Sequence, residues 1–382
     1  MVEGYDLQSA GVVAPALAAA LHLPKAALGF IFSIATFGML IGAAGGGMLS
    51  DRIGRKPVLV LSLMVYGAFS IGTAWASGFG SLMIVRFLTG FGLGSAFPSL
   101  VALMAKHAGR AKRVGRVTMV SAGMPLGGGV AVATGLMLSE RDWPHVFILG
   151  GVAPLLLAMI IAAVMPREPV SAGADGPPMR IGWSSVGDVL FGDRRTLATL
   201  ALWAASICTL LVLYLMVNWL PTLMLTRGLG RTEALTASLG FNLAGTAGAL
   251  AFGLLLGPAH RAKALAMVYA AAAIGTALLA SSSGIMPTLL AVAIVGATIT
   301  AAQFAIYGLS SDYYSVSHQG TGAGAAIAVG RAGAIAGPLI AGAIFAMGGS
   351  PTDVILILLP LMAIALAALI VLVLCAAPAT KS

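Results

Sequence analysis

Apolar runs long enough to cross a membrane recur along the whole chain. Because a spanning helix needs about 20 apolar residues, the pattern predicts eleven spans, at 26–49, 58–76, 80–105, 115–138, 144–166, 197–219, 234–256, 264–281, 286–308, 322–347 and 352–376. Residues 1–21 are apolar after a polar start, which is typical of the second half of a twelfth span. We therefore predict an all-α integral membrane protein with twelve transmembrane helices, the first of them truncated.

The longest polar interruption divides these spans into two equal sets. Residues 167–196 are rich in Pro, Gly, Ser and Ala, a composition typical of a linker. Six spans precede this segment and six follow it, which is the plan of transporters built from internal repeats. The prediction is an N-terminal six-helix half at 1–166, a cytoplasmic linker at 167–196 and a C-terminal six-helix half at 197–382.

Composition excludes the soluble classes of protein. Of the 382 residues, 59% are hydrophobic and only 9% are charged, too few to cover a water-exposed surface. Although the net charge is +9, it follows the loops: fifteen of the 21 Lys and Arg residues lie in one set of alternate loops or the C-terminal tail, and four lie in the other set. By the positive-inside rule, both termini are predicted in the cytoplasm and the chain in the inner (plasma) membrane. The charge therefore predicts topology, and no nucleic-acid partner is expected.

Two further residue classes bear on placement and chemistry. Trp75, Trp143 and Trp219 fall near the predicted outer ends of spans, where an interfacial aromatic belt is expected. Cys208 and Cys375 lie in apolar runs and are interpreted as core residues. No nucleophile–base pair or metal-ligand spacing is found in the sequence, so we expect neither an enzyme nor a cofactor or metal.

Ionisable residues inside spans give the sharpest functional signal. Each costs about 2.5–3.5 kcal/mol at the bilayer centre, so such residues mark ion or substrate pathways by default. Glu3 and Asp6 lie three apart on one helical face, and such a pair can share or exchange a proton. Arg86 and Arg331 are the basic residues inside spans. The alternative interpretation is that these residues form buried ion pairs that hold helices together.

Uncharged polar residues and glycines in the spans also have two interpretations. Asn218, Asn242, Gln303 and Tyr307 can line a cavity and hydrogen-bond a phenol or a carboxylate, or they can join helices. Glycines recur four residues apart, as in Gly38 and Gly42, which favours close helix packing in lipid.

Several segments resemble known families. GMLSDRIGRK (47–56) resembles the loop signature of the major facilitator superfamily, and RFLTGFG (86–92) resembles its fourth-helix arginine motif. Within that superfamily, EGYDLQSAG (3–11), NWLPTLML (218–225) and the segment 320–342 resemble the aromatic acid:proton symporter family. EGYDLQSAG is most similar to the 3-(3-hydroxyphenyl)propionate transporter branch. Two departures are Gln319, where that family usually has an arginine, and Gly257, where an aspartate stands in the second-half loop.

The resemblance implies a proton-coupled symporter of alternating access. It would import a small aromatic carboxylate such as 3-(3-hydroxyphenyl)propionate or a hydroxybenzoate, as a monomer in the bilayer. The expected roles are as follows: proton coupling at Asp6 and Glu3; substrate binding at Arg331, Arg86, Asn218, Gln303 and Tyr307; a conformational gate at Asp51, Arg52, Arg55 and Lys56. The alternatives are a proton-coupled exporter of drugs or metabolites, and an inactive truncated remnant or membrane sensor.

Overall fold

The structure, a computed structural model, describes residues 1–107, 113–166, 187, 190–192, 195–255, 261–314 and 319–376, and within those ranges its regular structure is helical. The helices are α1 (Val2–Ala20), α2 (Lys25–Ile53), α3 (Arg55–Thr73), α4 (Phe79–His107), α5 (Arg113–Met137), α6 (Trp143–Val164), α7 (Thr196–Thr226), α8 (Arg231–Leu255), α9 (Arg261–Ser281), α10 (Ile285–Tyr313), α11 (Gln319–Ala346), α12 (Pro351–Leu356) and α13 (Leu358–Ala376). A short 3-10 helix, Glu140–Asp142, leads into α6.

The helices confirm the predicted fold class. Ten helical segments of the described chain are long and apolar enough to cross a membrane, and α12 and α13 together make one of them. The remaining two long helices are α1, which carries a polar start, and α5, whose described apolar part is shorter. Boundaries differ from the prediction in α7, which continues to Thr226 because Pro221 is accommodated inside the helix.

Closely packed glycines bring α2 and α4 together. A Cβ added at Gly90 would lie 1.9 Å from the Ala35 carbonyl oxygen, and one at Gly42 would lie 2.1 Å from the Phe91 carbonyl oxygen. Only a residue without a side chain permits this approach. The glycine spacing seen in the sequence is therefore confirmed as a packing feature.

The helices before residue 167 meet the later ones along three seams. These seams are α1 against α7, α2 against α11 and α5 against α8. On the α2–α11 seam, Ser33 donates to the Ile335 carbonyl at 2.7 Å. A central cavity lies where the first and third seams converge. The assignment of 1–166 and 197–382 as separate units remains a prediction.

Trp219 corrects one expectation. It is fully buried, its ring stacks on Phe345 at 5.2 Å between centroids, and its indole N–H donates to the Pro338 carbonyl at 3.2 Å. Trp219 is therefore part of the α7–α11 packing and not of an interfacial belt. Trp75, in contrast, is 71% exposed, as the belt prediction requires.

Direct contacts close the end of the bundle that holds the α1–α2, α5–α6 and α7–α8 loops, which we call the outer end. Arg231 at the start of α8 donates to the Gly135 carbonyl on α5 at 2.6 Å, and its Nε lies 3.8 Å from Glu140. Lys25 on α2 donates to the Thr226 hydroxyl on α7 at 3.2 Å. These contacts join both sides of the bundle, so the outer end is shut.

Candidate functional site

The polar start of α1 is the organising element of the site. Glu3, Asp6 and Gln8 occupy one short stretch of a helix that packs against α5 and α6 on one side and α7 on the other. Residues three apart on an α-helix project about 60° apart, which is enough to direct neighbouring side chains at different helices. The structure separates Glu3 and Asp6 in this way, and each carboxylate contacts its own arginine.

Asp6 and Arg86 form a buried ion pair between α1 and α4. The two guanidinium Nη atoms lie 2.9 and 3.2 Å from the two carboxylate oxygens, and both side chains are 2% exposed. The Phe147 ring lies 5.6 Å from the guanidinium carbon, within cation–π range. Such a bidentate pair offsets the cost of two charges in an apolar interior. The structure thus brings together Asp6 and Arg86, two of the residues that the sequence analysis singled out.

Glu3 and Arg331 form a second ion pair, from α1 to α11. The distance from Oε1 to Nη2 is 3.4 Å, and the side chains are 23% and 14% exposed. Arg331 Nη1 also donates to the Tyr214 hydroxyl on α7 at 2.8 Å. This pair is longer and more accessible than the Asp6–Arg86 pair, and it joins the two sides of the bundle.

A central cavity of about 30 Å³ lies between α1, α5, α7, α8 and α10. That volume holds about two water molecules, so the cavity is too small for an aromatic acid in this conformation. Gln8, Asn242, Thr300 and Gln303 provide polar atoms, and Leu7, Met124 and Phe241 are among its apolar walls. Gln8 bridges to the other side through Val217, whose carbonyl accepts from Nε2 at 2.9 Å, and through Asn242, which donates to Oε1 at 3.0 Å.

Of the other predicted binding residues, Gln303 and Tyr307 lie at the cavity and Asn218 does not. Gln303 lines the cavity, and its amide donates to the Tyr307 hydroxyl at 3.1 Å, which places Tyr307 beside the site. Asn218 instead donates to the Tyr214 carbonyl one turn earlier in α7 at 2.7 Å. Asn218 is buried in α7 and is not among the lining residues.

The predicted gate residues lie at the opposite end from Arg231, around the α2–α3 junction. Lys56 donates to the Ala162 carbonyl at 2.8 Å and to the Met165 carbonyl, which satisfies acceptors at the end of α6. Arg52 is exposed and Arg55 half-buried. The Asp51 side chain lies outside the described part of the chain, so its gate role stays a prediction.

Sequence reasoning missed Gln8 and Tyr214 as site residues. Gln8 is 1% exposed and Tyr214 2% exposed, and each uses a polar atom to join helices. The signal for Gln8 was its place in EGYDLQ, five residues after Glu3; Tyr214 carried no local signal. Within the described residues, no cluster of three or more His, Cys, Asp or Glu side chains is placed to hold a metal ion.

Comparisons with known proteins show the family to which the chain belongs. The family pattern described as Major Facilitator Superfamily matches residues 1–338. The chain is 37% identical to the 3-(3-hydroxy-phenyl)propionate transporter of Escherichia coli (strain K12) over 350 residues, covering 91% of this chain and 85% of that protein. It is 29% identical to the 4-hydroxybenzoate transporter PcaK of Pseudomonas putida and 30% identical to the gallate transporter of that species. Those two alignments each cover 97% of this chain, and 89% and 88% of the relatives.

Solved structures give the same fold at lower identity. The D-xylose-proton symporter superposes with a TM-score of 0.79 at 17% identity, covering 97% of this chain and 94% of that one. The nucleoside transporter NupG superposes with a TM-score of 0.77 at 14% identity, covering 97% and 96%. The chain is a multi-pass membrane transporter, not an enzyme, and it belongs to the Major Facilitator Superfamily.

Proposed function

We propose that this chain imports a small aromatic carboxylate together with a proton by alternating access. The observation that carries the proposal is the ion pair between Glu3 and Arg331, which spans the two sides of the bundle next to the central cavity. The relatives named for 3-(3-hydroxy-phenyl)propionate, 4-hydroxybenzoate and gallate support the substrate class. The D-xylose-proton symporter, which shares the fold, supports a compatible architecture.

Coupling follows from competition for the Arg331 guanidinium. When Glu3 is ionised, its carboxylate occupies Arg331 at 3.4 Å. A proton on Glu3 removes that charge, and the substrate carboxylate then takes its place on the arginine. The Glu3–Arg331 site keeps its net charge during this exchange, so the proton on Glu3 and the substrate anion enter as a neutral pair without the charge penalty of the membrane interior. Tyr214, already bound to Arg331, holds the guanidinium in position during the exchange.

Asp6 and Arg86 provide the second protonation site. Their pair is contained in α1 and α4, with both side chains 2% exposed. Protonation of Asp6 breaks two charge-assisted hydrogen bonds, which loosens α1 from α4 and favours movement of α1 against α7. Proton binding at Asp6 is thereby linked to the conformational change, while proton binding at Glu3 is linked to substrate.

The closed outer end is incompatible with an outward-open state. Contacts of Arg231 with Gly135 and of Lys25 with Thr226 must break before a substrate can enter from outside. The distribution of basic loops supports a topology with both termini in the cytoplasm and the outer end facing away from it. On this topology the protein works as a monomer in the inner membrane, with Asp51, Arg52, Arg55 and Lys56 at the cytoplasmic gate.

The test is uptake of labelled 3-(3-hydroxyphenyl)propionate, with 4-hydroxybenzoate in parallel, into cells that express the chain at two external pH values. The proposal predicts faster accumulation of at least one acid at the lower pH. If neither acid is accumulated although the protein is in the membrane, import is excluded. Net efflux of a preloaded acid would instead support the exporter alternative.

A further inference from the structure

Asn242, which lines the central cavity, has an unused hydrogen-bond acceptor. Its Nδ2 donates to Gln8 Oε1 at 3.0 Å and to the Ser238 carbonyl at 2.9 Å, so both amide hydrogens are engaged. Among the described residues nothing donates to Asn242 Oδ1, and this atom is not one of the fully enclosed unpartnered atoms. Because Gln8 is itself anchored by the Val217 carbonyl, the orientation of the Asn242 amide is fixed.

Gln303 lines the same cavity and has a second unused acceptor. Its Nε2 donates to the Tyr307 hydroxyl at 3.1 Å, and no described residue donates to its Oε1. The other walls include Leu7, Met124 and Phe241, which suit the faces of an aromatic ring. The cavity thus combines two open acceptors with apolar walls, and it has no positive charge among its lining residues.

These features match the hydroxyl end of a ring-hydroxylated aromatic acid. A phenol hydroxyl donates a hydrogen bond, whereas a carboxylate only accepts and would be repelled by two acceptor oxygens. Glu3, which meets Arg331, and Gln8, which meets Asn242, lie five residues apart, a rise of about 7.5 Å along the axis of α1. That separation is comparable to the length of a hydroxylated phenylpropionate from its carboxylate to its ring hydroxyl.

We propose that Asn242, held by Gln8 and assisted by Gln303, is a specificity subsite for the ring hydroxyl, which makes the transporter select hydroxylated aromatic acids over unhydroxylated ones. The inference rests on the proposed function, in which Arg331 binds the carboxylate. An analogue without the hydroxyl leaves the acceptors desolvated and unpaired. The free-energy cost of those unpaired groups makes the analogue bind more weakly than the hydroxylated acid.

Gly128 on α5 provides a test that leaves Asn242 in place. A Cβ at Gly128 would lie 2.3 Å from Asn242 Oδ1, so Gly128→Ala must displace that acceptor. The neighbouring Gly129→Ala is the matched control, because its Cβ would meet only ordinary contacts of 3.6 Å or more. Asn242→Leu removes the acceptor directly at similar side-chain volume. With two independent variants, one that fails to fold does not decide the outcome.

The experiment compares kcat/KM for labelled 3-(3-hydroxyphenyl)propionate and 3-phenylpropionate in proteoliposomes. We expect the wild type to favour the hydroxylated acid by at least about tenfold. Asn242→Leu and Gly128→Ala bring the ratio towards one, because they lower kcat/KM for the hydroxylated acid more than for 3-phenylpropionate, and Gly129→Ala keeps the wild-type ratio. A wild type without preference, or variants that lower both acids equally, overturns the subsite but leaves the proposed function standing. If the wild type transports neither acid, the proposed function fails and the subsite with it.

Discussion

Asp6 and Arg86 face each other across α1 and α4 with two parallel contacts of 2.9 and 3.2 Å, and both side chains are almost completely buried. Glu3, only three residues earlier, turns to Arg331 on α11 instead. One carboxylate therefore binds within the first six helices, and the other crosses to the later ones. This division gives the two acids different roles in the proposed transport cycle.

Replacing Asp6 by Asn is expected to abolish accumulation of substrate. The variant cannot take up and release a proton, and it leaves the Arg86 charge buried without its partner, which costs about 3–5 kcal/mol. The double variant Asp6→Asn with Arg86→Gln removes both charges, so it should recover much of the thermal stability in detergent but no accumulation. An Asp6→Asn protein that concentrates substrate at normal membrane levels would refute the role of Asp6.

Replacing Glu3 by Gln is expected to preserve exchange of substrate across the membrane and to weaken its coupling to protons. The neutral side chain imitates protonated Glu3, so Arg331 stays available to the substrate and exchange across the membrane continues. The rise of uptake with falling external pH should flatten. The measurement is a pair of assays, counterflow and net uptake over a pH series. Glu233→Gln is the control, since Glu233 is an exposed acid whose contact is the local Gly230 N–H, and its pH profile should match the wild type. A pH dependence of Glu3→Gln as steep as that of the wild type would contradict the competition mechanism, because only the contribution of Asp6 should remain.

Replacing Gly90 by Ala is expected to destabilise the α2–α4 packing. Its Cβ would lie 1.9 Å from a backbone oxygen of Ala35, so the helices must separate, at a cost of about 1–3 kcal/mol. Gly45→Ala has nothing within 4 Å of the added atom, and the higher helix propensity of Ala should leave stability unchanged or raised. Thermal unfolding in detergent distinguishes the two. Equal unfolding temperatures for both variants would show that the close contact between Gly90 and Ala35 does not determine thermal stability.

Replacing Arg231 by Ala is expected to open the outer end. The change removes the 2.6 Å bond to Gly135 and the contact with Glu140. Spin labels at the exposed positions Trp75 and Met286, one on each side of the bundle, should report a longer average distance than in the unmodified background. Arg141→Ala is the control, because it removes an exposed charge in the α5–α6 loop without an inter-helix contact in the described chain. Unchanged distances in both would mean that Arg231 does not hold the end closed.

Hydropathy and glycine spacing predicted most of the fold because both depend on local sequence. Membrane thickness determines the length of apolar runs, and Gly42 and Gly90 require a neighbouring backbone wherever they occur. Trp219 shows the limit: its position near a helix end suggested the interface, but its burial depends on Phe345, more than a hundred residues away.

The site was predictable as a set of residues but not as a set of partners. Charges inside apolar spans are costly, so Glu3, Asp6, Arg86 and Arg331 stood out without a structure. Which acid meets which arginine depends on a 60° difference in direction on α1 and on the packing of distant helices. Asn242 was a candidate without a decisive signal and Gln8 was missed, because an amide costs less to bury than a charge and serves equally well as a helix contact or a ligand contact.

The most direct test of coupling is the external pH of lightly buffered proteoliposomes when 3-(3-hydroxyphenyl)propionate is added. Symport removes protons from the medium together with the acid, so we expect alkalinisation by wild-type vesicles, and none by vesicles that contain Asp6→Asn. Labelled substrate entering the vesicles with no change in external pH, or with acidification, would contradict proton symport.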